Sequence, residues 1–177
     1  MRLRHPMKIL TILIGTLVLN LFDASNCRAD ETATEAMLRT ESLGGLRLGL
    51  PEKAVLKLLG PPAKRGELVF QEADGNYVQD WHYQDKGIDL SMSAGEKKSG
   101  AKTIANITAS APCTFATRKG IKIGDAESAA RKAYAEHVDR ETGAKRGILV
   151  VGSIYGGIIF DFTKGKVSRI FFGAAAE

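Results

Sequence analysis

The chain predicts an α+β protein built from two tandem units, each with short helical structure packed on an antiparallel β-sheet. The first observation is a repeated stretch. "GLRLGLPEKAVLKLLG" (45–60) and "GIKIGDAESAARKAYA" (120–135) align without a gap at an offset of 75 residues and share Gly45/Gly120, Gly49/Gly124, Glu52/Glu127, Ala54/Ala129 and Lys57/Lys132. Leu46/Ile121, Arg47/Lys122 and Leu48/Ile123 are like-for-like exchanges. The second observation is that the apolar period changes from 3.6 to 2 after each copy, which marks a helix followed by strands. The third is that residues 30–177 hold a single cysteine, Cys113. A chain of this size buries enough surface to be stabilised by packing rather than by disulfides.

The chain opens with Arg2, Arg4 and Lys8, then an unbroken and mostly apolar run from Ile9 to Phe22. That is the build of a secretory signal. Cys27 and Ala29 suit the −3 and −1 positions of a cleavage site, which predicts a signal peptide over 1–29 cut before Asp30. The run is shorter than the ~20 residues a membrane span requires, so no stable span is expected after cleavage. Acylation of Cys27 is the alternative fate, but Asn26 precedes it where a lipoprotein signal has a small residue. The expected location is the periplasm or the extracellular space. Without 1–29, the formal net charge falls from +5 to +2. No Lys/Arg stripe with interleaved aromatics remains to follow a phosphate backbone, which argues against nucleic acid.

Residues 30–112 form the expected first unit and 113–177 the second. Residues 30–42 carry Ala33, Ala36, Met37 and Thr40 at loose helical spacing. Pro51 suits the first position of a helix reaching Leu59, because its missing N–H has no partner there. Ala54, Val55, Leu58 and Leu59 form its apolar face, and Gly60-Pro61-Pro62 ends it. Strands are predicted over Leu68–Gln71 and Tyr77–Tyr83 around an Asp74-Gly75 turn, then in "GIDLSMS" and near Thr103–Ala109. A polar loop containing Lys97 and Lys98 separates the last two. In the second unit Asp125 is the expected N-cap, with Ala129, Ala130, Ala133 and Tyr134 as the apolar face of a helix extending to about His137. Strands follow at Ile148–Val151, Ile158–Phe162 and Val167–Phe172, the last two joined by a Lys164-Gly165 turn.

"GLRLGLPEKAVLKLLGPP" followed by "DWHYQDKGIDLSMS" resembles the unit of the SmpA/OmlA outer-membrane assembly lipoproteins and of the β-lactamase inhibitory protein superfamily. The shared elements are a Gly-x-x-x-Gly opening, a helix ending near Gly-Pro, a Trp-x-Tyr strand and a strand led by Gly-Ile, and the resemblance spans about residues 43–173. Two copies in one exported chain are more similar to the inhibitor arrangement. The resemblance implies a non-catalytic, protein-binding function, with a first-unit hairpin such as "EADGNY" contributing to the contact. The chain departs from the inhibitors in having no disulfide pair after signal removal.

For chemistry the chain offers little. His82 and His137 lie in different units without a second ligand at zinc spacing, and no phosphate-cradling loop, dinucleotide fingerprint or nucleophile elbow occurs. No cofactor or metal is expected. A small enzyme centred on Cys113 or His82, or a small-ligand carrier using the cleft between units, is the alternative. The expected partner is another envelope or secreted protein, held by Asp74, Asn76, Tyr77, Trp81, Tyr83, Lys97 and Lys98. Aromatic anchors dominate binding energy, yet one face of a sheet must also be buried. Tyr77, Trp81 and Tyr83 therefore face either a partner or their own helix.

Overall fold

A computed structural model describes residues 33–72, 75–138, 145 and 147–175. Helix α1 covers 33–40, α2 Glu52–Leu59 and α3 Glu127–Ala133. The strands are β1 (Lys64–Arg65), β2 (Val69–Gln71), β3 (Asn76–Tyr83), β4 (Ile88–Ser93), β5 (Thr103–Ser110), β6 (Ile148–Ser153), β7 (Gly156–Thr163) and β8 (Lys166–Gly173). All eight belong to one antiparallel sheet in the order β1-β3-β4-β5-β8-β7-β6, with β2 also on the outer side of β3.

Two separate sheets were expected, and one is found. Strand β5 pairs with β8 through Ile107↔Phe172, Thr108↔Phe171, Ala109↔Ile170 and Ser110↔Arg169. Left apart, β5 and β8 would each present a row of unpaired N–H and C=O groups; joined, they satisfy each other.

The helices share one face of this sheet. Val55 and Leu59 of α2 and Ala130 of α3, with Tyr134 just beyond it, enter a single buried cluster with Trp81, Leu90, Ile107, Phe160, Ile170 and Phe172. Alternation along β4 leaves Ile88, Leu90 and Met92 buried, while Asp89 is exposed. The other face carries Asp80, His82, Asp89, Ser91, Asn106 and Thr108.

Local differences have local causes. Pro51 is the N-cap of α2 rather than its first helical residue, with extended φ/ψ of −65°/148°, and its carbonyl accepts Ala54 N–H at 2.9 Å and Val55 N–H at 3.1 Å. Leu58 lies outside the buried stripe at 47% exposure. Eight residues make only two turns, and the Val55/Leu59 row meets the sheet with partly buried Leu56 beside it. Asp125 does not cap α3; Ala126 occupies that place. The Asp125 carboxylate instead accepts Lys122 N–H at 2.9 Å and Lys122 Nζ at 2.8 Å. Those bonds to Lys122 hold its carboxyl below the usual carboxylate range. Helix α3 stops at Ala133, and a 3-10 turn over Ala135–His137 continues the path. In α1, Met37 and Leu38 pack on the core, while Ala33, Ala36 and Thr40 are exposed. The Lys164-Gly165 turn has φ of +53° and +73°, the double positive φ of a tight hairpin.

Gly87 joins the end of the 3-10 turn Gln84–Lys86 to β4 with φ of +62°. A Cβ there would lie 2.3 Å from Ser110 O and 2.6 Å from Cys113 N, both backbone atoms of the segment leading into the second half. Gly87→Ala is therefore expected to lower unfolding free energy by at least about 2 kcal/mol through backbone strain and steric overlap, measured by urea denaturation. A variant within a few tenths of wild type would show that this segment yields freely.

Candidate functional site

The residues expected to hold a partner divide into two groups. Alternation along β3 puts Tyr77, Gln79, Trp81 and Tyr83 on the helix-covered face. Trp81 and Tyr83 are each only 1% exposed, so neither ring is available to a partner, which corrects their assignment to the docking surface. Trp81 Nε1 donates to Gln79 Oε1 at 3.0 Å, and the Arg65 guanidinium lies 4.4 Å from its ring centroid. Tyr83 donates its hydroxyl proton to Gly60 O at 3.0 Å, tying the end of α2 to the sheet. Both rings thus keep polar partners while filling the core.

Asn76, Tyr77, Lys97 and Lys98 come together at one end of the sheet. Tyr77 N–H donates to Gly95 O at 2.9 Å and its carbonyl accepts Ala94 N–H at 2.8 Å, so the start of β3 is bonded to the loop that carries the two lysines. Lys97 and Lys98 are exposed, whereas Asn76 and Tyr77 are half-buried. Asp74 lies outside the described residues. Cross-strand pairing sets Phe70 opposite Tyr77, with ring centroids 5.0 Å apart. Phe70 is 46% exposed and its neighbour Val69 56%. Neither was singled out from the sequence. Their signal was three consecutive apolar residues, Leu68, Val69 and Phe70, between Glu67 and Glu72, which alternation cannot bury together.

The face of the sheet that no helix among the described residues covers brings His82 and five polar side chains around a cavity of about 290 Å³. His82 Nδ1 lies 2.7 Å from Asp89 Oδ1, and Ser91 Oγ donates to Asp80 Oδ1 at 2.9 Å. The serine is therefore committed to a carboxylate rather than to the imidazole, so the nucleophile–base contact of covalent catalysis is not formed. Cys113 is 5% exposed, and burial pushes its thiol pKa up, opposite to what an attacking thiolate requires. His137 Nδ1 is 3.2 Å from Thr34 Oγ1, a link to α1. Among the described residues no group of three His, Cys, Asp or Glu side chains could hold a metal ion.

A buried polar knot sits where α1, the joint between the halves and α3 meet. Glu41 is 3% exposed, Thr117 4% and Tyr134 0%. Glu41 Oε1 accepts Ser42 N–H at 2.9 Å and Arg118 N–H at 2.6 Å. Its Oε2 accepts the Tyr134 hydroxyl at 3.0 Å. That hydroxyl has one proton, so the Thr117 hydroxyl 2.8 Å away donates to it, and Thr117 Oγ1 in turn accepts Ile121 N–H at 3.2 Å. Burial raises the Tyr134 phenol well above its ordinary value of 10.0. The knot is structural: every group in it is matched and closed to solvent.

No family model matches the chain, and no curated protein matches it. A search of solved structures finds similarity to an extracellular protein containing an SCP domain from Bacillus anthracis str. Ames, at 12% identity and a TM-score of 0.44. The likeness covers 71% of this chain and 43% of that one, so this chain spans less than half the length of the protein it matches. No helix among the described residues is long and apolar enough to cross a membrane.

Two outcomes follow from the buried groups. Tyr134 is neutral when protonated and its folded pKa is raised, so its share of stability is complete below about pH 10 and is lost as pH rises beyond that, where the unfolded chain ionises first. Tyr134→Phe is expected to cost about 1–3 kcal/mol near neutrality by leaving Glu41 short of a donor. It should also reduce the alkaline loss of stability by up to about 1.4 kcal/mol per pH unit, as followed by urea titrations from about pH 9 to pH 11; an unchanged slope would contradict the burial. Cys113 is expected to resist iodoacetamide in the native protein at about pH 8 and to react once urea unfolds it, measured by intact mass.

Proposed function

We propose that the chain is an exported, non-catalytic protein-binding module that grips another envelope or extracellular protein with one end of its sheet. The observation that carries this reading is the Phe70–Tyr77 ring pair on the β2–β3 hairpin, with Phe70 and its neighbour Val69 exposed on either side of the strand, set beside the Lys97/Lys98 loop. Exposed apolar patches rimmed by polar groups mark interaction sites, and aromatic side chains anchor them. Hydrolase inhibition is the narrower form of the proposal, with the hairpin as the blocking element that the inhibitor resemblance implies. Envelope assembly is the other.

The same proposal holds that the fold is two copies of one helix-plus-sheet unit of the SmpA/OmlA and β-lactamase inhibitory protein type. Its support is the strand order, which reads β3-β4-β5 and then β8-β7-β6. Each strand of one half thus has a counterpart equally distant from the β5–β8 junction, and α2 and α3 lie in the two stretches that match at the 75-residue offset.

In cross-linking against an envelope extract, a specific partner is expected with the wild-type chain. Phe70→Asp should reduce its recovery about tenfold or more with no change in melting temperature. Leu58→Asp, on the exposed side of α2, should leave recovery intact. Equal recovery by Phe70→Asp and wild type would exclude the hairpin as the docking element.

A further inference from the structure

The two matching stretches treat the same charge differently. Arg47 stands where the second stretch has Lys122, Leu48 where it has Ile123, and Leu50 where it has Asp125. In the second stretch the cation is closed internally, because Lys122 Nζ donates to Asp125 Oδ1 at 2.8 Å and Ile123 packs against the core. In the first, Leu50 supplies no carboxylate. Among the described residues no acidic group pairs with Arg47, and Leu48 is left 41% exposed.

Both side chains border a slot of about 350 Å³ between α1 and the starts and ends of the second-half strands. That is within the size range of small-ligand sites. Its apolar lining comes from Leu38, Leu48 and Phe172. Leu38 is held in place over the β6–β7 turn, where a Cβ on Gly152 would lie 2.7 Å from its Cδ1. Gly156 opens onto the slot, and a Cβ added there would meet no atom within 4 Å. Of the charged groups around it, Arg39 and Glu35 neutralise one another at 2.7 Å, which leaves the single positive charge of Arg47.

We propose that this slot binds a single-chain amphiphile with an anionic head group, of the fatty-acid class. The tail lies along Leu38, Leu48 and Phe172, and the carboxylate meets the Arg47 guanidinium, for which a bidentate pair is the favoured geometry. An apolar concavity exposed on a folded chain is a site in want of an occupant, and a cation with no acidic partner among the described residues selects the sign of the head group at its border. The slot shares no residue with the β2–β3 hairpin, so this proposal stands apart from the protein-docking one.

The test is calorimetric titration of the secreted full chain with decanoate and with decyltrimethylammonium, both below their micelle concentrations. One decanoate should bind per chain, about tenfold more tightly than the cationic amphiphile, as a charge-assisted hydrogen bond gives. Arg47→Glu should abolish that preference, and Gly156→Leu should weaken both ligands by filling the slot, each with an unchanged thermal melt. Flotation with phosphatidylglycerol but not phosphatidylcholine vesicles, lost in Arg47→Glu, would place the anion on a membrane lipid; decanoate binding without flotation would make it a free acid. Equal affinity for the two amphiphiles, binding unaltered in both variants, or no binding would overturn the proposal. So would a self-association that Arg47→Glu disrupts, because the slot would then hold a second copy of the chain.

Discussion

The architecture depends on the pairing of β5 with β8. Among the described residues, Ile107 to Ser110 and Arg169 to Phe172 form the only ladder joining the strands of the first half to those of the second. This ladder makes one sheet of what would otherwise be two, and it aligns the inward rows so that Ile107, Ala109, Ile170 and Phe172 lie side by side in the buried cluster. Because side chains alternate with period 2, a slip of one residue in this register would turn the whole inward row of one half toward solvent. The common face that α1, α2 and α3 cover exists only because the register holds.

The knot of Glu41, Thr117 and Tyr134 secures the same junction from the helical side. A buried carboxylate is costly unless its hydrogen bonds are complete, and Glu41 receives two backbone N–H groups and a phenol. Its partners come from residues 42, 118 and 134, so three separate segments must be in place before the carboxylate is satisfied. A polar network of this kind adds specificity more than stability. It discriminates against arrangements in which α3 packs correctly but the joint does not.

Most elements were legible because they are local. The change from helical to alternating period located α2, α3 and the strands from β2 to β8, and the turn chemistry of Lys164-Gly165 placed the last hairpin. Strand β1 was not legible, since Lys64-Arg65 is two charged residues with no alternation to detect. The amphipathic stripe of α2 included Leu58, because periodicity gives the side of a helix and not which part of that side meets a neighbour. The role of Glu41 was not legible, since nothing near it in sequence reveals the distant phenol and backbone donors that receive it. The residues expected to dock a partner show the same limit. Alternation put Tyr77, Trp81 and Tyr83 on one face, but only the position of α2 determines that the last two are enclosed while Tyr77, beyond the helix, pairs with Phe70.

Strand β8 follows every other strand of the sheet in the chain, yet it lies in the interior of the sheet between β5 and β7. During synthesis, β3, β4 and β5 can zip together early, but β6 and β7 wait for Lys166–Gly173 to arrive. Until then two unfinished ribbons carry open edges, the state in which antiparallel proteins pair with the wrong neighbour. An insertion of this kind is dominated by contacts distant in sequence and is slow. The yield of folded protein is thus governed by what shields those edges in the interval.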